Sequence, residues 1–109
     1  MAFNRLCGKY AVIVFTAVML ILAQVVPGLA ADGKAVFDKV CSPCHKTGKL
    51  GAPVFGNKEA WAGRIAQGKE ALYQHVTEGL GMMPAKGGDA ALSGDEVKAA
   101  VDYIVNESK

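Results

Sequence analysis

The sequence predicts a single all-α domain, and three observations carry that expectation. Apolar residues recur at helical spacing, with Leu72, Tyr73 and Val76 in one stretch and Val97, Ala100, Val101, Ile104 and Val105 in another. These stretches begin at capping residues or end at glycines, and no strand pattern comes between them. The chain has 109 residues, which leaves room for one domain and no second core.

The first thirty residues stand apart. Arg5 and Lys9 give a basic start, Ala11 to Val26 form an uncharged apolar run, and Pro27-Gly28-Leu29-Ala30 supplies a breaker and small residues. That order is read as a secretory signal peptide over 1–30, cleaved after Ala30, with an exported, periplasmic-type domain over 31–109. The competing reading is a retained membrane anchor, for which the run falls short of the roughly 20 apolar residues a span uses. Cys7 precedes the apolar run, so it is not placed as a lipid-attachment cysteine. Removing this segment takes away Arg5 and Lys9 and leaves ten basic against ten acidic side chains. A neutral domain is a poor nucleic-acid binder. The positive mean hydropathy of +0.22 also belongs largely to the removed segment.

Within 31–109 the elements follow in order. Asp32 is placed to cap a helix that turns Ala35, Val36, Phe37 and Val40 toward one side and runs into Cys41-Ser42-Pro43-Cys44-His45. Gly48 to Gly56 reads as an irregular loop, punctuated by Gly51, Pro53 and Gly56. Asn57 caps a short helix with Trp61 and Ile65 four residues apart, ended by Gly68. The next helix starts at Lys69 and stops at Gly79 and Gly81, followed by a loop around Met82-Met83-Pro84. Ser93-Gly94-Asp95-Glu96 is a capping box that opens the last helix.

Cys41-Ser42-Pro43-Cys44-His45 admits three chemistries. Structural zinc needs four Cys or His ligands, and His75 is the only other histidine. A redox dithiol belongs at the start of a helix after a strand, and no strand pattern precedes Cys41. Covalent haem attachment suits every residue: cysteines at i and i+3 face the same way and reach two vinyl groups, while the adjacent histidine offers its imidazole to iron. A domain of 79 residues also sits near the size at which a core needs a staple, and haem is a large apolar one.

The second axial ligand decides between electron transfer and open-site chemistry. Met83 leads, because it precedes Pro84 in a glycine-flanked loop 38 residues beyond His45, and its soft thioether favours reduced iron. Met82 is the adjacent alternative. His75 is read as a surface histidine rather than a ligand. Two roles stay open for Trp61 and Arg64: hydrogen bonds to haem propionates, or core packing and a solvated charge. Lys46, Lys49 and Lys86 flank the ligand segments as a possible docking ring, or serve only solubility.

The quoted motif, Gly51-Ala52-Pro53, the Trp61 helix, Gly79 through Gly88 and the helix opened by Leu92-Ser93 together resemble the class I c-type cytochromes, in particular the cytochrome c5-like branch. The resemblance spans 32–109. It implies a small cytochrome c fold, helices wrapped around one covalently bound haem c, with iron held by His45 and Met83. Met83 is favoured over Met82 because the family's ligand immediately precedes the proline. The resemblance further implies that the Pro53 carbonyl accepts a hydrogen bond from the non-ligating nitrogen of His45. The implied task is one-electron transfer between redox protein partners, with no catalysis of its own. Some members carry a disulfide after the double glycine, where this chain has Asp89-Ala90-Ala91.

Intact mass of the exported protein is expected to start at Ala31 or within a residue or two of it. Retention of Met1 would instead favour an anchored chain.

Overall fold

Asp32 opens the helical part of the chain, its carboxylate accepting a hydrogen bond from Ala35 N at 3.2 Å. In the computed structural model, which describes residues 30–109, helix α1 (Gly33–Val36) passes through a π-helical turn (Phe37–Cys41) into α2 (Ser42–His45). The export segment read from the sequence lies, but for Ala30, outside the described residues. The π-turn was not foreseen, and Ser42-Pro43 accounts for it. Pro43 has no N–H to continue an α ladder, Ser42 N reaches back five residues to Phe37 O, and Ser42 Oγ donates to the Asp38 carbonyl at 2.7 Å.

The remaining helices are α3 (Lys58–Ile65), capped by Asn57, α4 (Lys69–Glu78), and α5 (Gly94–Ser108), capped by the reciprocal Ser93–Glu96 box. Short 3₁₀ turns at Lys49–Gly51 and Ala85–Gly88 lie in the two loops. The loop from Gly48 to Gly56 is therefore less irregular than its glycines suggested. No strand forms among the described residues; Leu80 and Met83 make one isolated antiparallel bridge.

Helix α5 is the spine. Its Val97, Val101 and Val105 pack with Leu72 of α4, while Ile104 joins Phe37 and Trp61 in a second cluster. Phe37 is fully buried, its ring 4.5 Å from that of Phe55 and 5.6 Å from that of Tyr103. Tyr73 Oη donates to Asp102 at 2.6 Å and Lys69 pairs with the same carboxylate at 3.0 Å, tying α4 to α5.

The first helix presents Gly33, Val36, Phe37 and Val40 inward, a spacing of i, i+3, i+4 and i+7. Ala35 is exposed, contrary to the sequence expectation, because Gly33 takes the contact position instead. A Cβ at Gly33 would lie 2.0 Å from the Ala99 carbonyl oxygen, so only glycine lets the first helix cross α5 this closely.

Gly33→Ala is expected to destabilise the protein by about 1–3 kcal/mol through overpacking, read as a lower urea midpoint with unchanged slope.

Candidate haem site

The helices and loops enclose a cavity of about 1010 Å³. Cys41, Cys44 and His45 face it from the first helical run, Trp61 and Arg64 from α3, and Leu72, His75 and Val76 from α4. Ala100, Val101 and Ile104 form the α5 wall, and the loops add Leu50, Pro53, Leu80, Met82, Met83 and Pro84.

His45 is the most constrained polar residue of this wall. It is buried, and its Nδ1 lies 2.9 Å from the Pro53 carbonyl oxygen. A carbonyl can only accept, so Nδ1 carries the proton and donates, which leaves the Nε2 lone pair available to a metal. The same loop grips the backbone, Phe55 N donating to His45 O at 2.7 Å. Trp61 Nε1 donates to Val54 O at 2.9 Å, Ser108 Oγ accepts from Gly56 N at 2.9 Å, and the Trp61 ring sits 5.8 Å from the His45 ring. Residues 53–56 are thus fixed from three directions, and they fix the imidazole.

Cys41 and Cys44 are both free and half-buried on the cavity wall. Burial pushes the Cys41 thiol up to about 11. An attacking thiol in a redox dithiol needs the opposite, acidification by a helix N-terminus or a nearby cation, so Cys41 does not suit that role.

Met83 comes from a tight turn. Leu80 N donates to Met83 O and Met83 N to Leu80 O, each at 3.0 Å, with Gly81 at φ 58° between them. Gly79 supports the turn from beneath: a Cβ there would lie 2.9 Å from both Met83 O and Ala85 N. Met83 is half-buried, whereas Met82, pointing elsewhere along the same wall, is 68% exposed.

Trp61 and Arg64 keep the two roles left open by the sequence, and His75 is placed differently. The Trp61 N–H is engaged by Val54 within the fold, and Arg64 is exposed at the cavity edge with its guanidinium donating to Ala60 O. His75 is half-buried on the cavity wall rather than lying on the open surface. Lys46 lies 3.7 Å from Asp38, Lys86 donates to Leu92 O at 2.8 Å, and Lys49 alone lines the cavity.

A mostly apolar chamber with two thiols and an oriented imidazole on one helical run and a thioether on a separate turn fits haem in both shape and donor set. Comparison with known proteins agrees. The family model described as cytochrome C oxidase, cbb3-type, subunit III matches residues 28–104. Cytochrome c-555 of Chlorobaculum tepidum is 52% identical over 84 residues, covering 73% of this chain and 78% of that protein. Cytochrome c5 of Azotobacter vinelandii is 42% identical over 76 residues, covering 68% and 92%. A cytochrome c structure solved as an electron transfer complex with nitrite reductase superposes with a TM-score of 0.68 at 39% identity, covering 71% of this chain and 94% of that one. The chain belongs to the small class I monohaem c-type cytochromes, with a covalently bound haem c and its iron.

Proposed function

We propose that the protein is an exported one-electron carrier, without enzymatic activity of its own, whose iron is held by His45 and Met83. The observation that carries this reading is that both side chains line one cavity, each on a segment immobilised by backbone hydrogen bonds. The bound group supplies an iron that alternates between ferric and ferrous. Cys41 and Cys44, one helical turn apart, anchor it through thioethers, and Pro53 keeps the His45 ring in the ligating tautomer. Met83 adds a soft sulfur that favours the reduced state. Leu72, Val76, Val101 and Ile104 exclude water from the centre, and the exposed Arg64 supplies a cation for haem carboxylates.

Larger redox proteins are the proposed partners, supported by the similar cytochrome solved in complex with nitrite reductase. The description of the matching family model favours a second reading, a cytochrome subunit of a respiratory oxidase. Among the described residues no helix is long and apolar enough to cross a membrane.

Changing Cys41 and Cys44 together to alanine is expected to abolish haem-dependent peroxidase staining on denaturing gels. Haem lost from the wild type under those conditions would refute the covalent anchoring at these residues. Met83→Ala is expected to remove the charge-transfer absorption of methionine-ligated ferric haem, admit carbon monoxide to the reduced iron and lower the potential. Met82→Ala should keep that band. The reverse pattern would move the ligand to Met82, and a wild type that lacks the band and binds carbon monoxide readily would favour a haem enzyme or sensor with an exchangeable sixth position.

A further inference from the structure

Helix α4 turns Leu72, His75 and Val76 toward the cavity, a spacing of i, i+3 and i+4 that an apolar wall would fill with aliphatic side chains throughout. His75 breaks that pattern. Apart from His45, the two cysteines and Trp61, whose N–H is taken by the Val54 carbonyl, the other hydrogen-bonding side chains on the lining, Lys49, Glu59, Arg64 and Gln67, are all exposed and mark its wet edge. His75 is half-buried, and among the described residues no hydrogen bond holds its ring. Its ring nitrogens are therefore open to the cavity's occupant as well as to solvent.

We infer that His75 is a potential-setting residue, a polar group in the α4 wall that stabilises the oxidised form of the haem. The inference rests on the electron-carrier reading above and extends it to a residue that neither ligates nor anchors. Ferric haem carries one positive charge more than ferrous haem. A hydrogen-bonding imidazole solvates that extra charge better than an aliphatic side chain of similar volume, so its removal favours reduction. No charged side chain faces His75 from α5 or from the Leu80–Pro84 turn. Lys49, Glu59 and Arg64 border the same cavity, and Glu78 lies one turn along α4.

The test compares midpoint potentials of wild type, His75→Leu and His75→Gln holoproteins at one fixed pH. The leucine variant should shift upward while keeping the methionine charge-transfer band, and the glutamine variant should stay nearer the wild type than the leucine variant does. If the leucine variant does not take up haem, His75→Ala carries the same expectation. An unchanged or lowered potential in the aliphatic variant, or an equal shift in the glutamine variant, would overturn the inference. Loss of the band on replacing His75 would overturn it too, by making His75 a support of the methionine–iron bond rather than of the potential. Absence of the band from the wild type would instead refute the Met83 reading alone, since wall polarity acts on the potential whichever ligand is sixth.

Discussion

The structure depends on a cavity that its own side chains do not fill. Nine hydrophobic residues are buried among those described, and several of them, Trp61, Leu72, Ala100, Val101 and Ile104, also face the chamber of about 1010 Å³. Core and binding site are therefore the same surface seen from two sides. Unfilled apolar volume of this size forfeits the dispersion contacts that hold other small domains together. The covalently bound group restores them, so the haem is as much the centre of the hydrophobic core as it is the redox centre.

Everything around that chamber is then a question of how the ligand segments are held at its edge. The helical run that carries Cys41, Cys44 and His45 is docked by the close crossing of Gly33 on α5 and by the aromatic contacts of Phe37 with Phe55 and Tyr103. The same Phe55 donates its N–H to His45 O, and the C-terminal turn of α5 holds Gly56 through Ser108. One helix thus positions both the segment bearing the imidazole and the loop that orients it. A loosened crossing at Gly33 would be felt at the His45 ring through packing alone.

Much of this was legible in the sequence because it rests on local chemistry. The caps at Asp32, Asn57 and Ser93 each satisfy N–H groups within three residues, and the Cys41–Cys44–His45 spacing lies within about one helical turn. The pairing of His45 with Pro53 came from the family resemblance and stands at 2.9 Å. What stayed hidden depends on contacts between distant segments. Helical periodicity assigned a face to His75 but could not say that the face borders a chamber rather than solvent. The Trp61 N–H went to Val54, a partner set by how α3 folds back on the loop, and Lys86 was drawn from a possible docking ring to the Leu92 carbonyl. The π-turn was hidden for another reason: its signal is Ser42-Pro43, read first as part of a haem motif and only second as a break in the backbone ladder.

The two segments proposed to ligate the iron are rigid by different means, and on that proposal the difference bears on electron transfer. His45 is held by its ring and its carbonyl oxygen, both bound to one loop that is itself tied to α3 and α5. Met83 has no ring hydrogen bond to orient it, and its sulfur is placed by backbone alone: the two-way bridge to Leu80, the fixed φ of Pro84, and the Gly79 site that no side chain could occupy. A carrier that changes only its charge gains from ligands that need not move when the charge changes, because any rearrangement adds to the barrier of each transfer. A thioether is a weak ligand, so the proposed iron–sulfur bond would rely on the protein scaffold to keep Met83 in place. The backbone around Met83 supplies that scaffold, which is why the turn tolerates an exposed Met82 at its tip but not a side chain at position 79.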